Sequence, residues 1–360
     1  MNVLLIRTSA LGDIVHALPV LTALRRHLPE ARIGWVVERV FAPLLAGHPD
    51  LDEVLPARLR EWRWRPAGAE ERRELAAFRR ALRAFRADVT LDLMGNHKAG
   101  AIAFLSGARR RIGLARVDRR EPSSALWLTE TAPARGEHMV DRTLAVLDRL
   151  GLPPEPPDFG GDKLPAGPAD PLPAADAPET GDAGEARYAL LHPGTAWGNK
   201  VYPHERWARV ARGLAEAADL PTRVALSPSE SERELARRIV AAAGGAAEPV
   251  EAGDLPALVR LSRRARLVLG GDTGPVHLAH ALGAPVLCVM GPTDPAIHGP
   301  YGAPDRALAR RLPCSYCYRR FDSPKACLLE IAPEAVVERA LAVLVDSPGN
   351  RNAGAGPPRT

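Results

Sequence analysis

At 360 residues the chain is too long for one ordinary domain, and two domains of about 150–200 residues each are the natural division. Its 46% hydrophobic and 25% charged content fits soluble globular units rather than a disordered or fibrous chain. The net charge of +5 comes mainly from arginine, no window approaches the roughly 20 apolar residues of a membrane-spanning helix, and Arg7 and Asp13 interrupt any secretory leader, which points to the cytoplasm.

Residues 3–6 read as a short buried strand, followed by a tight loop at 8–12. From 13 to about 28, Ile14, Leu18, Leu21, Leu24 and Leu28 share one helical face. Pro19 within that run either kinks the helix or starts a second one. Strands at 33–37 and 51–55, a charged amphipathic helix at 70–85 and a strand at 89–93 follow. The last opens into a loop at Gly95, Asn96, His97 and Lys98. Three arginine clusters mark this half: Arg58, Arg60, Arg63 and Arg65; Arg79, Arg80, Arg83 and Arg86; and Arg109, Arg110, Arg111, Arg116, Arg119 and Arg120. Each is either a solvated helix face or a surface that attracts phosphate or anionic lipid. No nucleic-acid-binding motif accompanies them, so no nucleic-acid partner is expected.

Between 153 and 186 proline, glycine, alanine and aspartate dominate and periodicity disappears, as in a linker carrying a poorly ordered insertion. The βα pattern restarts with a strand at 188–192, a helix at 205–217, a strand at 223–226 and a helix from 229. Strands at 266–269 and 286–290 and a helix at 333–345 complete it. The expected division is an N-terminal domain at 1–152, the linker at 153–186, a C-terminal domain at 187–346 and a disordered tail at 347–360. Strands alternating with helices indicate α/β units with parallel sheets, and a cleft between two such units is a natural ligand site.

The clearest chemical signal is Gly270-Gly271-Asp272-Thr273-Gly274, where a strand meets a helix start. Backbone N–H groups at a helix N-terminus bind phosphate, and glycines let it approach. Asp272 or Thr273 can equally be a plain N-cap. The same Asp-Thr-Gly triplet occurs in aspartic proteases, but those are all-β. A second turn, Gly291-Pro292-Thr293-Asp294-Pro295, follows the next strand. Thr195 and Lys200 follow the strand that ends at His192, and Lys200 is either the cation for a diphosphate or a surface lysine. Glu230 suits ribose hydroxyls or simply the first turn of a helix. Asp13, just after Gly12, is a candidate general base or a helix-stabilising acid. No Gly-x-Gly-x-x-Gly follows the first strand, which speaks against a dinucleotide oxidoreductase, and no P-loop is present. Asp50-Leu51-Asp52 has the spacing of metal-binding Asp-x-Asp motifs but flanks a short strand away from the phosphate turns, so it reads as coincidence. Cys314, Cys317 and Cys327 resemble part of a zinc site without a fourth ligand, whereas Cys288 sits in a buried strand.

Several segments in order resemble glycosyltransferase family 9, the heptosyltransferases. They are Arg7-Thr8-Ser9-Ala10-Leu11-Gly12-Asp13-Ile14-Val15-His16, Trp35-Val36-Val37-Glu38, Arg60-Glu61-Trp62-Arg63, Arg120-Glu121-Pro122, Asp272-Thr273-Gly274 with His277, and the turn at 291–295. The resemblance implies the GT-B fold, two Rossmann-like parallel-sheet domains facing an interdomain cleft. It implies an inverting, metal-independent transfer with no cofactor, from ADP-L-glycero-D-manno-heptose to the inner Kdo of Kdo2-lipid A. Asp13 would be the catalytic base and Lys200 would assist the leaving diphosphate. Thr195, Lys200, Glu230, Asp272, Thr273, Gly274 and His277 would bind the donor. Ser9, Gly12, Arg60, Arg63, Lys98 and Arg120 would serve the acceptor. The remaining arginines would rest on the anionic cytoplasmic face of the inner membrane. The cysteine cluster, the glycine-rich loop before Lys200 and the proline-rich insertion depart from the pattern. They leave open a family 9 transferase with another donor or acceptor, such as a type II heptosyltransferase, or a non-catalytic nucleotide-sugar-binding protein.

Overall fold

The structure, a computed structural model, describes residues 1–59, 62, 68–167, 188–320 and 322–346. The expectations for Arg60, Arg63 and Arg65, for most of the insertion and for the tail lie outside these residues. The chain divides into two compact units, Met1–Pro165 and Ala166–Thr360.

The first unit holds β1 (Asn2–Ile6), β2 (Arg32–Glu38), β3 (Glu53–Ala57), β4 (Val89–Asp92), β5 (Arg110–Leu114) and β6 (Glu130–Ala132) in one parallel sheet, ordered β3-β2-β1-β4-β5-β6. The second repeats this plan with β7 (Ala189–His192), β8 (Thr222–Leu226), β9 (Ala247–Glu251), β10 (Leu267–Gly271), β11 (Val286–Met290) and β12 (Ala307–Ala309), ordered β12-β11-β10-β7-β8-β9. Helices cover both faces of such sheets, which is why central strands such as Val-Leu-Leu-Ile in β1 are apolar on both sides and buried throughout.

The two central strands carry the register. Val3 lies between Ile33 and Val89, and Val268 lies between Leu190 and Val286. In the first unit Gly34 lets the Phe85 ring lie against β2, because an added Cβ would come within 2.6 Å of it. In the second unit Trp207 and Tyr202 stack edge to face at 5.0 Å in the core beneath the helix Pro333–Asp346.

Pro19 marks a second helix. The chain breaks after Leu11–Val15 and restarts as Leu18–His27, with the proline in the first turn, where no N–H is needed. The third arginine cluster lies not on a helix but on β5 and the turn after it. There Arg110 pairs with Glu130 at 2.7 Å, while Arg119 pairs with Asp92 and both side chains are fully buried. The described start of the proline-rich segment packs on the first unit, where Arg26 reaches Glu155 at 2.9 Å and Lys163 reaches Asp50 at 2.7 Å. Asp52 accepts from Arg25 and from the Ile33 amide, so the Asp-x-Asp pair has structural partners.

The Arg119–Asp92 pair generates a stability prediction. Arg119→Met leaves the Asp92 carboxylate buried without its counter-charge and should cost about 3–5 kcal/mol. Adding Asp92→Asn should recover part of that loss, because the buried charge goes with it. Urea midpoints of the parent and the two variants measure this, and an unchanged midpoint in Arg119→Met would remove the pair from the forces holding this unit.

Candidate active site

In each sheet the strand order reverses beside its first strand, between β1 and β4 and between β7 and β10. Loops leaving such a pair depart to opposite faces, so the strand ends stay uncovered and ligands bind there. Most of the described candidate residues gather at these strand ends, one group in each unit.

In the first unit β1 runs out into Arg7, whose buried guanidinium donates to the Leu93 carbonyl at the end of β4. The Arg7 carbonyl accepts the Trp35 indole N–H at 3.0 Å, which fixes the residue from β2 as well. Arg7 also pairs with Asp13 Oδ1 at 2.5 Å, while Asp13 Oδ2 accepts the Ala10 amide at 3.0 Å. The arginine side chain is 9% exposed and the aspartate 40%, so an anchored cation presents a carboxylate to solvent. Ser9 and Gly12 flank it. Lys98 is exposed in the first turn of the helix His97–Ser106, and Arg120 is exposed on the segment packed against Gly95. The Glu121 amide donates to the Gly95 carbonyl at 2.9 Å, and Glu121 Oε2 accepts the His97 amide at 2.8 Å. Lys98 and Arg120 thus belong to one loop cluster at the end of β4.

In the second unit Lys200, from the loop after β7, pairs at 2.5 Å with Asp272 Oδ2 at the end of β10. The Thr293 hydroxyl donates to the same oxygen at 2.6 Å, and His277 Nε2 lies 3.1 Å from Oδ1. Burial alone would push the Asp272 carboxyl up, but the His277 hydrogen bond and the Lys200 charge outweigh it and hold it far below the usual carboxylate range. Thr273 is the N-cap residue of the helix Gly274–Ala281, whose first amides face the same crevice end. Thr195 spends its hydroxyl on its own turn, donating to the Trp197 carbonyl at 2.8 Å. Glu230 is exposed and pairs with Arg237 at 2.9 Å; the acid lying over the Gly194 turn is Glu232, whose carboxyl carbon would be 2.6 Å from a Cβ added there.

Thr293 and Glu232 join this site without a signal in the sequence pattern, and so does the loop carrying the cysteines, which walls it. The Arg319 carbonyl accepts Asn199 Nδ2 at 2.6 Å, and Lys200 and Arg320 each lie 4.3 Å from the centre of the Trp197 ring. The Tyr318 amide donates to the Pro292 carbonyl at 3.1 Å. A cavity of about 430 Å³ opens behind the turn at 291–294, lined by Cys314, Cys317 and Cys327 but not by Lys200 or Asp272. All four cysteines are free, and among the described residues no group of three or more His, Cys, Asp or Glu side chains is arranged to hold a metal ion.

The profile of glycosyltransferase family 9 (heptosyltransferase) matches residues 75–327. The chain is 32% identical to lipopolysaccharide heptosyltransferase 1 of Pseudomonas aeruginosa, over 89% of this chain and 87% of that protein. This chain belongs to glycosyltransferase family 9. It is 33% identical to lipopolysaccharide heptosyltransferase 1 of Escherichia coli K12, over 84% of this chain and 91% of that one. Its fold matches the solved structure of E. coli heptosyltransferase WaaC with ADP at a TM-score of 0.78 and 28% identity, covering 95% of this chain and all of the other. The two parallel α/β units are those of the GT-B transferases.

His192 generates a pH prediction. It is buried at the end of β7, its Nε2 has no partner among the described residues, and burial lowers its pKa to about 4. A depressed folded value means the unfolded chain binds the proton first. Its contribution is therefore complete above the unfolded value near 6.5 and is lost as pH falls towards 4, for a total of about 3 kcal/mol. Asp272 adds to that slope only below about pH 5, where the unfolded carboxyl, near 4, begins to take up its proton. His192→Asn should flatten the stability profile of the second unit between pH 6.5 and 4, and urea titrations across that range would show an unchanged slope if the prediction is wrong.

Proposed function

We propose that this enzyme transfers L-glycero-D-manno-heptose from ADP-heptose to the inner Kdo of Kdo2-lipid A, with inversion at the anomeric carbon. The observation that carries the reading is the pair of charged crevices: an arginine-anchored carboxylate in one unit and a lysine-bearing phosphate turn in the other. Asp13 takes the proton of the acceptor hydroxyl as its oxygen attacks the anomeric carbon. The bond from that carbon to the β-phosphate oxygen breaks, and ADP leaves with the electron pair. Lys200 and the amides at Thr273 and Gly274 take up the charge that develops on the diphosphate. Asp272, held ionised, aims Lys200 and offers its free lone pairs to sugar hydroxyls, with His277 and Thr293 fixing its orientation. Ser9, Gly12, Lys98 and Arg120 receive the anionic acceptor, and the enzyme works at the cytoplasmic face of an anionic membrane. Among the described residues no helix is long and apolar enough to cross that membrane. ADP is the nucleotide in the solved E. coli relative, which supports the donor class. The departures in the cysteine loop favour, as the second reading, a family 9 transferase with another nucleotide sugar or a heptosylated acceptor.

Mass-spectrometric assay with ADP-heptose and Kdo2-lipid A in EDTA tests the reaction. The expected result is a gain of one heptose by the parent and a loss of about 10²–10⁴ in rate with Asp13→Ala. A folded parent that binds ADP but transfers nothing would direct the search to other donors and acceptors. Full activity in Asp13→Ala would exclude it as the base.

The two candidate ribose acids separate kinetically. Glu232→Gln should raise KM for the donor about tenfold or more, the usual range for a lost charged hydrogen bond, while Glu230→Gln should leave it near the parent value. The opposite order would return the role to Glu230.

A further inference from the structure

The first unit exposes three large apolar side chains within one short stretch of chain: Val117 at 89%, Leu126 at 68% and Phe104 at 54%. They come from three elements packed in series. The turn Arg116–Asp118 contacts the turn Pro122–Trp127, which lies along the helix His97–Ser106. That second contact is tight. Gly100 faces the Trp127 ring, which a Cβ would approach to 2.5 Å, and Trp127 Nε1 donates to His97 Nδ1 at 3.0 Å. The Phe104 and Trp127 rings sit 5.7 Å apart, with the Arg111 guanidinium over Phe104. The apolar side chains therefore stand on a braced platform rather than on loose loops.

The charge around them is one-sided. Residues 97–129 carry seven Lys and Arg against two acids, an excess as large as the whole chain's net charge of +5. Both acids are occupied: Asp118 pairs with Arg142 at 3.2 Å, and Glu121 caps the His97 amide at 2.8 Å. Arg110 and Arg119 are neutralised by Glu130 and Asp92. Lys98, Arg109, Arg116 and Arg120 remain exposed.

We infer that this face, formed by the helix His97–Ser106 and the turns Arg116–Asp118 and Pro122–Trp127, seats the protein on an anionic lipid bilayer. Val117, Leu126 and Phe104 enter the boundary between headgroups and acyl chains, and the exposed arginines meet the lipid phosphates. Protruding apolar side chains ringed by cations fit that interface, where apolar burial and attraction to anionic lipid add. A soluble protein partner of matching chemistry would have to supply both an apolar pocket and a concentrated acidic rim. The inference rests on the proposed function, which already sets the enzyme at an anionic membrane, and deepens it by naming the face: Lys98 and Arg120 stand on the same cluster, so a lipid-borne acceptor would arrive where the bilayer sits.

The full chain is sedimented with vesicles of phosphatidylethanolamine and phosphatidylglycerol, and with vesicles of phosphatidylcholine alone, in the absence of any substrate. The parent should pellet with the first and remain in solution with the second. Val117→Ser with Leu126→Ser, and separately Arg109→Glu with Arg116→Glu, should each weaken binding to the anionic vesicles by about tenfold. Neither pair should change the thermal midpoint or the transfer to a soluble, delipidated acceptor. A parent that does not bind anionic vesicles, or two variants that bind as the parent does, would overturn the inference. So would a parent dimer that the apolar variant converts to monomer, since the face would then seat a second copy. Failure of the transfer assay with the vesicle results intact would remove the proposed reaction and leave the surface standing.

Discussion

Everything that places chemistry in this chain follows from the reversal of strand order in a parallel sheet. A parallel strand can be followed only by a crossover, and crossovers of one hand must change sides where the winding direction changes. At β1/β4 and β7/β10 two loops therefore separate and leave strand ends without a helix above them. Arg7 and Leu93 meet across the first gap, and Lys200 and Asp272 across the second. The same constraint acting twice yields two crevices of the same architecture and opposite chemical character. One displays an anion and the other gathers donors.

Ions in these crevices are arranged by burial. In the first pair the more deeply buried partner anchors and the other is presented; in the second both partners are buried, and hydrogen bonds decide which anchors. Arg7 is anchored by two neighbouring strands and presents Asp13. Asp272 is anchored by His277 and Thr293 and holds Lys200. Taking both members of a pair out of water costs more than the attraction returns unless hydrogen bonds complete the shell. Asp272 meets that condition with three side-chain partners. A diphosphate entering the second crevice would share the Lys200 ammonium with Asp272 rather than find it free, and the three donors of an ammonium group allow that.

The cysteine-bearing loop changes how the second crevice is walled. It reaches the lysine loop through Asn199 and Trp197 and the turn at 291–294 through Tyr318. Trp197 receives a cation from each side of this junction, Lys200 from its own loop and Arg320 from the cysteine loop. One of the features that depart from the expected pattern in sequence is thus packed directly against the loop and turn that carry Lys200 and Thr293.

The sequence by itself determined the class of fold, because a buried parallel strand must be apolar on both faces and the helices between must show a 3.6-residue period. It also singled out Asp13, Lys200, Asp272 and His277 as candidates, which lie in the segments that follow β1, β7 and β10. The outer strands β5, β6, β9 and β12 escaped it: β6 and β12 have only three residues, and Arg110, Arg111, Glu130, Glu248 and Glu251 break the apolar run in the others and in β6, since a strand at or next to a sheet edge has less to bury. Which acid faces the Gly194 turn, that Thr293 closes the shell of Asp272, and that Arg119 is a buried counter-ion rather than a surface charge were decided only in three dimensions. Residues 21 to 38 positions apart in the chain meet in these contacts. A sequence pattern records the period of an element, but not which of its polar side chains the packing turns inward.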